Sequence, residues 1–108
     1  MEHSLEDALL ILDKWKNESE VIGIITFVVN LEVRMMGKIE SVDRDAITLL
    51  CGENSYLVVR LKDCAFQYGD PREFPEIPAP PGGHQYAAFL SIQYPPDEFV
   101  VLFETTAD

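Results

Sequence analysis

At 108 residues, 47 % apolar and 25 % charged, the chain has the size and make-up of one globular domain, which excludes a disordered chain and a second independent core. Its net charge of −11 sets up a field that repels phosphate backbones at long range and keeps the protein in solution. Two cysteines are too few for a disulfide framework, and the longest apolar run, Val21 to Val29, is too short to span a bilayer.

Ser4-Leu5-Glu6-Asp7 opens a helix, with Ser4 as cap and Asp7 reaching back to it. Glu6 and Asp7 also suit the positive end of the helix dipole. Leu5, Ala8, Leu9, Leu12 and Trp15 recur at helical spacing, so one stripe faces a core and the helix ends near Asn17. Glu2, Glu6 and Asp7 stand where a secretory leader would carry positive charge, so a cytoplasmic location is expected.

From Val21 the pattern is that of strands. Val21 to Val29 is apolar on both alternating faces and predicts a strand covered on both sides. Leu31, Val33, Met35, Gly37 and Ile39 alternate with Glu32, Arg34, Met36, Lys38 and Glu40, a period of two that predicts one buried face. Gly37 within that strand marks a sharp bend or a close backbone approach. Asp43-Arg44-Asp45 is a turn, Ala46 to Cys51 a third strand, Tyr56 to Lys62 a fourth and Ala65 to Tyr68 a fifth.

Residues 72–83 are a Pro/Gly-rich linker of extended character. Beyond it, residues 84–108 carry two further strands, Tyr86 to Tyr94 and Phe99 to Thr105, joined by Pro95-Pro96-Asp97-Glu98. A lone hairpin is scarcely stable in water, so this one is expected to pack on residues 1–71 or on a neighbouring subunit.

At Gly37-Lys38-Ile39-Glu40-Ser41-Val42-Asp43 the chain resembles the first motif of the Sm/Lsm-like superfamily, most closely its bacterial RNA-chaperone branch, Hfq. Ile47, Leu49 and Leu50 fit the next strand of that pattern, and Ser4-Leu5-Glu6-Asp7 is similar to the start of the family's helix. The resemblance covers residues 4–71. It implies a mainly β fold: an N-terminal helix followed by a five-stranded Sm-like (SH3-like) small barrel, with the C-terminal hairpin as an extension.

The resemblance also implies a closed homo-oligomeric ring of about five to seven subunits, in which the fourth strand of one copy pairs with the fifth of the next. Leu57, Val59 and Phe66 are the apolar residues near those edges. Of the family's RNA-contacting positions, those matched here are Asp7, Arg60 and Lys62. In place of the family's Tyr-Lys-His the fourth strand reads Val58-Val59-Arg60-Leu61-Lys62-Asp63.

No catalytic residue is assigned. Asp43 and Asp45 form a carboxylate pair, but Asp-x-Asp between strands is ordinary turn chemistry. Two histidines, His3 and His84, and two cysteines without close ligand spacing do not make a metal site, and no cofactor is expected. There is no P-loop, dinucleotide fingerprint or nucleophile elbow. The expectation is a non-catalytic ring-forming module that binds RNA weakly, or the same ring as an acidic protein-interaction scaffold without nucleic acid. Its partners are then itself, RNA or another protein, and no membrane. Whether Arg34, Lys38, Arg60 and Lys62 share one surface decides between the two.

Overall fold

Ser4 and Asp7 close the helix start as a reciprocal pair: the Asp7 N–H donates to Ser4 Oγ at 3.2 Å, and the Ser4 N–H donates to Asp7 Oδ2 at 3.4 Å. This computed structural model describes residues 2–18, 21–28, 30–74, 86–94 and 98–105. In chain order the elements are β1 (Glu2–His3), α1 (Leu5–Glu18), β2 (Ile22–Val28), β3 (Leu31–Val42), β4 (Ala46–Leu50), β5 (Tyr56–Arg60) and β6 (Ala65–Gly69). A short 3-10 turn (Pro71–Glu73) precedes β7 (Tyr86–Tyr94) and β8 (Glu98–Thr105). The protein is thus mainly β with one N-terminal helix. Of the linker at 72–83, only Arg72 to Phe74 lie within the described residues.

All strand pairs are antiparallel, in the order β1-β6-β7-β8-β2-β3-β4-β5. The row is open. A closed five-stranded barrel is therefore not what the hydrogen bonds describe: β2 pairs with β3 and β8, and β6 pairs with β1 and β7. The C-terminal hairpin is no appendage, for its two strands stand in the middle of the row. The physical reason is that β7 and β8 are apolar on both faces. Leu90, Ile92, Val100 and Leu102 are buried on one side, and Phe89, Val101 and Phe103 on the other. Strands with two apolar faces need cover on both, and these have the core with α1 on one face and the cluster with Phe74 on the other.

Two cores result. The larger joins Ala8, Leu12 and Trp15 of α1 to inward residues of the strands, among them Ile24, Ile39, Ile47, Leu49, Leu90 and Leu102. The smaller lies on the opposite side of β2, β7 and β8, where Phe74 meets Phe89 edge-on at 5.3 Å and the Tyr86 hydroxyl donates to Met36 Sδ at 3.6 Å.

β3 belongs to two partners. Leu31 to Gly37 pair with β2, Lys38 to Val42 pair with β4, and the register shifts between Ile39 and Ser41. Its first half was expected to turn Leu31 and Val33 inward. Instead Leu31 is 60 % exposed and Val33 half-buried. The cause is geometric: β4 joins β3 only beyond Gly37, so the β2–β3 tip, with Val28 and Leu31 at its end, projects past the core.

Candidate assembly edge and basic residues

β5 ends the strand row, so one line of its backbone N–H and C=O groups has no strand partner among the described residues. Its side chains alternate. Leu57 and Val59 lie opposite Leu49 and Ile47 and turn inward, whereas Tyr56, Val58 and Arg60 lie opposite Leu50, Thr48 and Ala46 and turn outward. Tyr56 is 57 % and Val58 51 % exposed, two large apolar surfaces on an unpaired strand. Val59 and Phe66 are buried at 3 % and 4 %, and Leu57 is half-buried against the same core. At Leu57 and Val59 the open edge presents mainly backbone, whereas Phe66 is paired on both sides, with Ile92 of β7 and His3 of β1. Tyr56 and Val58 are the large apolar side chains that this strand turns to solvent. The parity of the strand identifies them, because burying Leu57 and Val59 forces their neighbours outward.

The opposite end of the row is β1, which covers β6 at two positions, Glu2 against Gln67 and His3 against Phe66. His3 packs edge-on to Tyr68 with ring centroids 5.9 Å apart, and its Nδ1 lies 3.8 Å from Asp7 Oδ2.

The four basic residues divide. Lys38 opposes Leu50 and Arg60 opposes Ala46, so both border the outer face of β3, β4 and β5, at opposite ends of the Tyr56–Val58 surface. Arg34 opposes Ile25, on the side of the smaller core, and its Nε donates to Glu32 Oε2 at 2.8 Å. Lys62 sits in the turn after β5, on a cleft of about 470 Å³ that His3, Ser4, Arg44, Asp45 and Asp63 also line. Two basic and two acidic side chains balance there. Arg44 is further engaged, donating from Nη2 to Glu6 Oε1 at 2.9 Å. A backbone N–H and then this guanidinium hold the Glu6 carboxyl below the usual range. Asp7 is occupied by the helix cap. Of the three expected RNA-contacting residues, Lys62 lines the cleft, Asp7 bonds Ser4 of its wall, and Arg60 turns outward on β5.

Other candidate chemistry is structural. Asp43 Oδ1 accepts from the N–H groups of Asp45 and Ala46 at 2.8 and 2.9 Å, which makes the pair a turn. Burial pushes the thiols of Cys51 and Cys64 up, away from the reactive thiolate. The Cys64 Sγ donates to the Arg60 carbonyl at 3.4 Å, and burial likewise raises the neighbouring phenol of Tyr94. Among the described residues, no three His, Cys, Asp or Glu side chains are grouped to hold a metal ion, and no helix is long and apolar enough to cross a membrane. His84 lies outside the described residues. Comparison with protein-family models, with curated proteins and with solved structures gives no match for this chain.

Proposed function

We propose that the chain is a non-catalytic, Sm-like assembly module, and that its free β5 edge takes the β6 edge of the next copy to build a closed ring that serves as an acidic protein scaffold. The carrying observation is the unpaired β5 strand with Tyr56 and Val58 turned to solvent. A long apolar edge invites a further strand. One edge meeting a different edge is a heterologous contact, which closes into a ring when the rotation allows. The run from α1 through β2, the strand bent at Gly37, β4 and β5 follows the Sm order, and supports this reading. The insertion of β7 and β8 between β6 and β2 is this chain's own departure from it.

A second reading has RNA on the outer face of β3, β4 and β5, because Tyr56 offers a ring for base stacking between Lys38 and Arg60. Two basic side chains in a molecule of net charge −11 favour the scaffold. The test is multi-angle light scattering of the full chain at micromolar concentration. A closed oligomer of about five to seven copies, lost on Tyr56→Lys/Val58→Lys, is the expected result. A monomer at every concentration overturns it.

A further inference from the structure

Resting on that edge-to-edge reading, we propose that β1 is a built-in plug: it occupies the β6 edge that the β5 of a second copy must take, so folding of the N-terminus holds assembly back.

The register carries the inference. β6 has β7 on one side, and on the other it has Glu2 opposite Gln67 and His3 opposite Phe66. On that second side β1 is the last strand of the row, so it stands between β6 and any neighbour. A strand cannot be added at Phe66 and Gln67 while β1 is there. The plug is anchored lightly, through the edge-on His3–Tyr68 contact at 5.9 Å and the approach of His3 Nδ1 to Asp7 Oδ2 at 3.8 Å. Only Ser4 separates β1 from α1, so the segment is tethered directly beside its site.

Tether and length pull in opposite directions. A short tether gives a segment an effective concentration of roughly millimolar. Two residues, however, are fewer than a stable strand needs, whereas β5 offers five. The plug therefore wins when the protein is dilute and yields to β5 of another copy as concentration rises. Assembly is thereby shifted to higher concentration, and any ligand that draws β1 off would trigger it.

The experiment is sedimentation equilibrium over a wide concentration range on the full chain, on Glu2→Pro/His3→Pro, on Tyr56→Lys/Val58→Lys, and on the two pairs combined. Proline removes the N–H groups of β1 and the His3 ring while leaving the core and the Ser4–Asp7 cap in place. Deletion of residues 1–3 is a second route to the same release, and near-ultraviolet circular dichroism checks each fold. The expected result is assembly at about tenfold lower concentration for the released variants, and none when the β5 substitutions are added. Released variants that assemble at the native concentration or above it, with assembly still lost on Tyr56→Lys/Val58→Lys, overturn the plug and leave the edge reading standing. Assembly indifferent to the β5 substitutions overturns both.

Discussion

A Cβ placed on Gly37 would stand 2.8 Å from the carbonyl oxygen of Leu50, closer than a carbon and a backbone oxygen tolerate. The contact sits where β3 leaves β2, its last pair being Ile22 with Gly37, and joins β4, its first pair being Lys38 with Leu50. Ile24 Cδ1 closes the same space from the core side at 3.1 Å. The absence of a side chain at position 37 is thus what lets one strand serve two partners.

Gly37→Ala is expected to destabilise the fold by about 1–3 kcal/mol, the usual cost of overpacking against groups that cannot retreat. Gly52→Ala is the control, because its nearest neighbour, Ser55 Cβ, would lie at an ordinary 3.7 Å. That change should stay within about 0.5 kcal/mol. Urea unfolding of both variants checks the pair. Equal effects would show that the approach of Leu50 to Gly37 does not constrain the bend.

Thr26 gives a change of the opposite sign. Its side chain shares a face with Val33 and Val100, its register partners on β3 and β8, and its Oγ1 is buried with no hydrogen-bond partner among the described residues. A buried hydroxyl without a partner costs about 1–3 kcal/mol of desolvation. Thr26→Val removes that atom at nearly constant volume and is expected to raise stability by about 1 kcal/mol. Thermal unfolding decides it, and a lowered midpoint would mean that the hydroxyl is satisfied in solution.

Asp70 sets a pH dependence. Its carboxylate accepts the Arg72 guanidinium at 2.7–3.2 Å and the Arg72 N–H at 2.9 Å, which caps the 3-10 turn. The guanidinium, and after it the backbone N–H, hold the Asp70 pKa down at about 2. A carboxyl whose pKa is lower folded than unfolded adds stability above its unfolded value of about 3.9, and that contribution fades as pH falls through the folded one. Asp70→Asn should therefore be the less stable protein at neutral pH, with the gap closing between about pH 4 and pH 2. Chemical unfolding across that range checks it, and a gap that widens on acidification has the wrong sign.

How much of this was legible before the structure varies element by element. The helix was, because Ser4, Asp7 and the stripe from Leu5 to Trp15 specify its start and its buried face locally. The strands to Gly69 were, because turn residues separate them. What period-two reasoning did not supply is which strands become neighbours when they are far apart in sequence. The both-sided apolar pattern of β7 and β8 matches that of β2, and by itself it called for cover on both faces, which an appended hairpin would lack. The resemblance over residues 4–71 pulled the reading towards a barrel complete without them. The β5 edge shows the same division. That the strand ends the row is a property of the whole topology, whereas the outward turn of Tyr56 and Val58 could have been taken from the inward Ile47 and Leu49 opposite their neighbours.

Binding to RNA is expected to be weak and diffuse. Each phosphate contact needs a base, and the logarithm of affinity falls with the logarithm of salt roughly in proportion to the number of contacts. Among the described residues only Lys38 and Arg60 flank the Tyr56 surface, Lys62 lines a cleft with Asp45 and Asp63, and Arg34 and Arg44 are tied to Glu32 and Glu6. Fluorescence anisotropy with labelled oligo-uridine and oligo-adenosine at two salt concentrations should give dissociation constants no tighter than about 10⁻⁴–10⁻⁶ M at physiological salt. Two contacts at most imply a shallow salt slope, about −0.7 per contact for a single strand. Lys62→Ala should leave the curve where it is, because Lys62 lines the cleft with Asp45 and Asp63 and not the Tyr56 surface. Nanomolar binding that is lost on Lys38→Ala or Arg60→Ala would make RNA the ligand of the outer face and displace the scaffold reading. Micromolar binding indifferent to both substitutions leaves a protein partner, or the next copy of this chain, as what Tyr56 and Val58 are exposed to meet.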